Sequence, residues 1–107
     1  MNITGNEAEE FPLNMAAQWT ANYRKENPDG LKGHLFGSRL ILRILGQPDC
    51  LGIRIYYALD DVGQQQLILC GVDDKGNDLY DGIIGERSLP CPSRCGKDNP
   101  LNSDLKL

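Results

Sequence analysis

The strongest constraint on the fold of this chain is an alternation of apolar and other residues that runs from Leu51 to Leu59. Apolar side chains recur at every second position there, which is the period of a β-strand with one face against a core. A turn sequence, Asp60-Asp61-Val62-Gly63, follows, and a second run of strand-forming residues extends from Gln65 to Val72. The sequence therefore predicts an antiparallel β-hairpin closed by a three-residue loop that ends at Gly63.

A loop centred on Val62 fixes the register of the predicted hairpin. In this register Ile55 lies opposite Leu69, and Tyr57 lies opposite Leu67. We expect this face to form the core. The other face is mixed in character, and we expect another element or a second subunit to cover part of it. Its predicted cross-strand pairs are Arg54 with Cys70, Tyr56 with Ile68, and Ala58 with Gln66.

Two helices are predicted before the hairpin. Pro12 in a first-turn position, followed by apolar residues with three- and four-residue spacings, indicates a helix from about Phe11 to about Asn27. A second helix is expected to begin near Ser38 and to stop at Gly46. Its apolar stripe is broad enough to lie against a sheet. The first stripe consists of Met15, Ala16, Trp19 and Tyr23, and the second of Leu40, Ile41, Ile44 and Leu45.

Together these elements predict an α+β fold, in which two N-terminal helices pack on a small antiparallel sheet centred on the β-hairpin. Residues 79–84 are expected to add a short third strand. Residues 88–107 show neither a helical nor a strand period, and they are expected to form a coil-rich C-terminal tail. The length of 107 residues suits a single domain, and residues 1–10 are expected to be flexible.

Charge and hydropathy disfavour two classes of partner. The formal net charge is −4, whereas a surface that binds nucleic acid or an anionic membrane needs an excess of Lys and Arg. Neither partner is expected. The N-terminal residues have neither the basic nor the apolar region of a signal peptide, and no apolar run is long enough to cross a bilayer. These features predict a cytoplasmic protein.

The cysteine pair at residues 91–95, Cys-Pro-Ser-Arg-Cys, is the most specific local feature. Proline after Cys91 can open a helical turn, where backbone N–H groups and Arg94 would stabilise a thiolate. The three intervening residues differ from the two of thioredoxin-type motifs and of most zinc knuckles. A structural disulfide between Cys91 and Cys95 is not expected in a reducing cytosol.

A zinc site is one hypothesis for the four cysteines. Cys50 and Cys70 lie near the same end of the predicted hairpin, and Cys91 and Cys95 would complete a tetrahedral site if the tail folds back. His34 could replace one of these ligands. The alternative is that Cys70 is a small buried hydrophobe, Cys50 sits in a turn, and the tail pair is surface structure. The residue pattern favours this alternative, and zinc is the one cofactor the sequence suggests.

No catalytic constellation stands out in the sequence. His34 is the single histidine, so a Ser-His-Asp or Cys-His site would have to use it. The chain has neither a Walker loop nor a dinucleotide-binding fingerprint, and the acidic turn at residues 73–78 lacks the offsets of a calcium loop. An enzyme is therefore less expected than a binding protein.

Exposed amphipathic side chains are the best candidates for an interface. We identify Tyr56 and Arg54 on the mixed face of the hairpin, and Trp19 on the first helix. Core packing is the competing interpretation for each aromatic residue. It is the favoured one for Trp19 and Tyr57.

Four motifs span most of the chain. They are W-T-A-N-Y at residues 19–23, G-I-R-I-Y-Y at residues 52–57, L-C-G-V-D-D-K-G-N-D at residues 69–78, and C-P-S-R-C at residues 91–95 followed by N-P-L-N at residues 99–102. With them the chain resembles a family of small uncharacterised bacterial proteins that has no known activity. The resemblance implies a bacterial origin, and it implies that the tail is part of the folded unit.

The function expected from the sequence is non-enzymatic protein interaction or self-assembly. A small sheet centred on a hairpin has exposed edges and one ambiguous face, which a protein partner or a second copy of the chain would cover. The alternative is a cysteine-based zinc-binding or thiol-redox protein that uses Cys91 and Cys95.

Overall fold

A computed structural model describes residues 2–106 of the chain and confirms the α+β class. Met1 and Leu107, which belong to the predicted flexible terminus and the predicted tail, lie outside the described residues. The elements are α1 (Leu13–Glu26), β1 (Gly33–Leu35), α2 (Ser38–Leu45), β2 (Gly52–Leu59), β3 (Gln65–Val72), β4 (Ile84–Gly85) and β5 (Leu89–Cys91). One antiparallel sheet has the order β2-β3-β4, and a second consists of β1 and β5.

The described residues form two compact units. The first unit contains residues 2–8 and Phe36–Ser88, and it holds α2 with the sheet of β2, β3 and β4. The second unit contains Glu9–Leu35 and residues 89–106, and it holds α1 with β1 and β5. The single domain expected from the chain length stays a prediction.

The β2–β3 hairpin has the predicted register. Ile55 pairs with Leu69 and Tyr57 with Leu67, and the three pairs of the mixed face are also confirmed. The Asp60 amide donates a hydrogen bond to the Gln64 carbonyl at 2.9 Å, which leaves a three-residue loop. Gly63 ends this loop with a φ of 83°, a conformation that glycine adopts without steric cost.

The core of the first unit lies around β3, where Ile44 of α2 is fully buried and where Leu69, Cys70 and Val72 are 3–5% exposed. The helix α2 packs on all three strands of the sheet, as its broad apolar stripe predicts. Gly85 of β4 permits this approach, because a Cβ atom there would lie only 2.6 Å from Cδ2 of Leu40. The helix α2 begins at Ser38, as predicted, and its N-cap is Gly37.

The third strand is shorter than predicted and lies at the end of the expected range. Strand β4 contains Ile84 and Gly85 alone. The residues before it form a loop, since the Leu79 amide bonds to the Gly71 carbonyl at 2.8 Å and the Ile83 amide bonds to Oε1 of Gln47 at 2.8 Å. The Gln47 side chain thus replaces a neighbouring strand as the acceptor.

The prediction that Tyr57 packs in the core is wrong. Tyr57 is 86% exposed and Ile55 is 52% exposed, although their partners on β3 are more buried. The reason is length: α2 has eight residues and is about 12 Å long, whereas an eight-residue strand is about 27 Å long. The helix therefore covers one end of the hairpin, and the turn end extends beyond it.

The second unit is held by hydrogen bonds from α1 and its flanking loop to the C-terminal segment. The Arg24 guanidinium donates to the carbonyls of Leu101 and Ser103 at 2.9 and 3.0 Å, and it pairs with Asp104 at 3.1 Å. Nζ of Lys32 donates to the Asn102 carbonyl at 2.8 Å. The predicted coil-rich tail is therefore anchored at several points, and it begins with strand β5. Among residues 2–106, neither helix has the length and apolar character needed to span a membrane.

Candidate functional site

The structure joins two of the predicted interface residues, Arg54 and Tyr56, through Asp78. Both project from β2 on the mixed face, and Asp78 follows the turn after β3. Nη1 of Arg54 donates to Oδ1 of Asp78 at 2.5 Å and to the Gly76 carbonyl at 3.0 Å, and the Tyr56 hydroxyl donates to Oδ2 of Asp78. We call Arg54, Tyr56 and Asp78 the polar cluster.

Hydrogen bonds set the charge states of the polar cluster. The bond from the Tyr56 hydroxyl is the main reason why the pKa of Asp78 lies below its usual value, and Arg54 lowers it further. The same bond raises the pKa of Tyr56. At neutral pH, Asp78 is therefore a carboxylate and Tyr56 a neutral phenol. Because both carboxylate oxygens accept a hydrogen bond, the arrangement suits bracing of the turn against β2 better than proton transfer.

Cys70 lies beside the polar cluster and is 3% exposed. Burial is the main reason why the pKa of its thiol is raised, and the negative charge of Asp78 adds to the effect. Cys50 is half-buried, and its thiol donates to the Gly52 carbonyl at 3.3 Å. Both cysteines are free thiols. A raised pKa makes Cys70 a poor nucleophile at neutral pH.

Cys91 and Cys95 form a disulfide, which differs from the reduced pair expected in a cytosol. Their Cα atoms are 4.6 Å apart, and the Arg94 amide bonds to the Pro90 carbonyl at 2.8 Å across the same turn. Cys95 is exposed. In this state neither sulfur is a thiolate that could bind a metal or attack a substrate.

The proposed zinc ligands do not form a metal centre in the part of the chain that the structure describes, where no three His, Cys, Asp or Glu side chains are grouped to hold an ion. The zinc hypothesis stays a prediction for the reduced protein. His34 lies in β1 opposite Pro90, one position from the pairing of Gly33 with Cys91. A Cys-His site would need a free thiol, and Cys91 and Cys95 have none in the disulfide.

Trp19, the third interface candidate, lies on α1 in the second unit. It is 61% exposed, so the core-packing interpretation of Trp19 is wrong. Its ring contacts Phe11, with the ring centroids 4.6 Å apart and the planes inclined at 48°. A groove of about 590 Å³ lies elsewhere on α1, between the helix and the C-terminal segment, and Leu13, Ala17 and Leu105 are among its lining residues.

An exposed apolar surface lies at the turn end of the hairpin, where the alternation along the strand predicts a core face. Ile55, Tyr57 and Leu59 project from the same face of β2 and are 52%, 86% and 73% exposed. Val62 in the loop is 88% exposed. We call these four residues the hairpin face. The sequence signal for this surface is a difference in length, because the predicted second helix is too short to cover the whole of the predicted strands.

Strand β2 is also an edge of its sheet, since the strand order is β2-β3-β4. The Asp60 amide bonds to the Gln64 carbonyl, so the even-numbered residues of β2 exchange hydrogen bonds with β3. The backbone groups of the odd-numbered residues therefore point away from β3. Ile55, Tyr57 and Leu59 thus present outward-pointing backbone groups as well as exposed apolar side chains.

Comparisons with known proteins give no relative from which a function could be transferred. No protein-family model matches the chain, and neither the curated proteins nor the solved structures include a significant match.

Proposed function

We propose that this chain is a non-enzymatic interaction domain that associates with a second copy of itself through the hairpin face. The observation that carries the proposal is the exposure of Ile55, Tyr57 and Leu59 on one face of an edge strand. Contiguous apolar surface of this kind marks interaction sites in soluble proteins. The aromatic Tyr57, at 86% exposure, is the type of residue that dominates interface energetics.

The sequence of β2 lacks the features that commonly prevent an exposed edge strand from pairing with another strand. Exposed edge strands are commonly blunted by Lys, Pro or inward-pointing charges. Strand β2 contains neither Lys nor Pro. Its one charged residue, Arg54, projects on the opposite face and is paired with Asp78. An edge without these devices pairs readily with another strand.

A second copy is the partner that this surface fits. An antiparallel edge strand is self-complementary, because rotation by 180° about an axis perpendicular to the sheet brings it against its own copy on the same face. The apolar side chains of the two β2 strands then lie side by side on one face of the joined sheet. Self-association also matches the expectation from the sequence.

The test is the mass of Tyr57→Lys and of a matched variant, measured by light scattering at increasing concentration. Tyr57→Lys should remain a monomer at concentrations where the unmodified protein associates. The substitution places one positive charge from each copy among the apolar side chains of the contact. Tyr80→Lys is the control, since Tyr80 is 75% exposed in the same unit but lies outside β2. Equal association of the two variants would contradict the proposal.

The disulfide between Cys91 and Cys95 favours a second candidate, a thiol-disulfide exchange protein. In such a reaction the disulfide would accept two electrons and two protons from a substrate dithiol, which would itself become a disulfide. The test is oxidation of a reduced dithiol peptide by the unmodified protein and by Cys91→Ser. Equal rates would remove this candidate.

A further inference from the structure

The open edge of β2 constrains the geometry of self-association. The odd-numbered residues from Ile53 to Leu59 direct their N–H and C=O groups away from β3, as the bond from Asp60 to Gln64 requires. On β3, the odd-numbered residue Gly71 likewise directs its carbonyl away from β2, where it accepts a hydrogen bond from the Leu79 amide. Backbone pairing at the β2 edge therefore needs no rearrangement of the hairpin.

We infer that two copies pair edge to edge along β2 in antiparallel register, with Tyr57 opposite Tyr57 of the second copy. The two sheets then form one continuous sheet across a twofold axis. This inference rests on the self-association proposed above and adds its register. Tyr57 would exchange two backbone hydrogen bonds with its own copy, and Ile55 would do so with Leu59 of the second copy.

The distribution of exposed side chains selects this register. Rotation about an axis perpendicular to the sheet preserves the faces, so odd-numbered residues must lie opposite odd-numbered residues. The exposed set Ile55, Tyr57 and Leu59 is centred on Tyr57, and centring the pairing there places each of the three beside an exposed apolar side chain of the second copy. Centring on Tyr56 would place Leu59 opposite Ile53, which is already partly buried.

Charge on the other face selects the same register. With Tyr57 on the axis, Arg54 lies opposite Asp60 of the second copy, so the pairing sets a cation against an anion at each end. The Asp60 side chain is ionised at neutral pH, because hydrogen bonds from Gln66 and from the loop backbone lower its pKa. Centring on Tyr56 would instead place Arg54 opposite Ala58, and centring on Ile55 would place it opposite Tyr56.

Disulfide trapping tests the register directly. Tyr57→Cys should form a covalent dimer under mild oxidation, because directly opposed Cα atoms are about 5.5 Å apart, within the range of about 4.4–6.8 Å that a disulfide spans. Ile55→Cys alone should not link to itself, because the two copies of this position would be about 14 Å apart. An equimolar mixture of Ile55→Cys and Leu59→Cys should link, and it retains Tyr57.

The controls separate a wrong register from an absence of association. The unmodified protein reports linkage through Cys50, and Tyr80→Cys reports chance collision at an exposed position. If the protein associates but Ile55→Cys links as fast as Tyr57→Cys, the register is wrong and the proposed function stands. The same conclusion follows if neither Tyr57→Cys nor the mixture exceeds the controls. If light scattering detects no association at all, the inference and the proposed function both fail.

Discussion

Ile55 and Leu69 lie directly opposite each other in the β2–β3 hairpin, yet Ile55 is 52% exposed and Leu69 is 3% exposed. Leu69 belongs to the central strand, which has neighbours on both sides. Ile55 belongs to the edge strand, and it marks the point where cover by α2 ends. This difference within one cross-strand pair locates the boundary between the core and the proposed interaction surface.

Ile44 should be the most sensitive position of α2, because it is the one side chain of the described residues that is fully buried. We expect Ile44→Ala to lower the free energy of unfolding by about 2–5 kcal/mol, through lost burial and the cavity that remains. Leu42→Ala is the control on the same helix, since Leu42 is 66% exposed, and its effect should stay within about 0.5 kcal/mol. Urea denaturation measures both. Similar losses for the two variants would contradict the described packing of α2.

Asp78 should make stability depend on acid pH. Its pKa is lowered in the folded protein, first by the bond from Tyr56 and then by Arg54. The resulting stabilisation is present above the unfolded-state pKa of about 3.9 and is lost as the pH falls through the lower folded-state value. The urea midpoint of Asp78→Asn should therefore fall less than that of the unmodified protein between about pH 6 and about pH 2.5.

Two variants make the test of Asp78 specific. Tyr56→Phe removes the hydrogen bond that contributes most to the pKa shift of Asp78, so it should reduce the pH dependence in the same direction as Asp78→Asn. Asp74→Asn is the control, because it removes one negative charge from an exposed position in the same turn. A pH profile of Asp78→Asn that overlays that of the unmodified protein would show that the polar cluster does not stabilise the fold.

Gly63 should be required by the hairpin loop. Its φ of 83° lies in the left-handed region, which costs a residue with a side chain about 1–2 kcal/mol. We expect Gly63→Ala to lower the free energy of unfolding by about that amount. Gly37→Ala is the comparison, because Gly37 has a φ of −66° and an added Cβ would meet open space. Equal effects in urea denaturation would be inconsistent with the loop geometry.

The cysteines should divide into one oxidised pair and two free thiols of unequal reactivity. Oxidised protein should take up label at Cys50 and Cys70 alone, and Cys70 should react slowly until the chain is unfolded, because burial raises the pKa of its thiol. Four labelled cysteines without a reductant would contradict the disulfide. Native mass spectrometry after reduction tests the zinc hypothesis, which fails if less than about a tenth of an equivalent of zinc is retained.

The local parts of the fold could be predicted from the sequence. The register of the hairpin follows from the alternation in β2 and from Gly63, because both constraints act within a few residues of the turn. The start of α1 and the end of α2 follow in the same way from Pro12 and Gly46, although Pro12 is the N-cap of α1 and not a residue of its first turn. These features depend on neighbouring residues alone.

Features that depend on distant residues could not be predicted in this way. Asp78 lies in the acidic turn at residues 73–78, and no local pattern indicates that it meets Arg54, a residue 24 positions earlier. The exposure of Tyr57 depends on how far α2 reaches along the sheet, which alternation along the strand does not encode. An expected compartment does not predict the disulfide between Cys91 and Cys95, which also depends on the turn that joins them.

Sedimentation equilibrium of the unmodified protein from micromolar to millimolar concentration measures self-association through the hairpin face without any substitution. We expect the average mass to rise from the 11.9 kDa of one chain toward twice that value. A mass that stays at 11.9 kDa over the whole range would contradict self-association through the hairpin face.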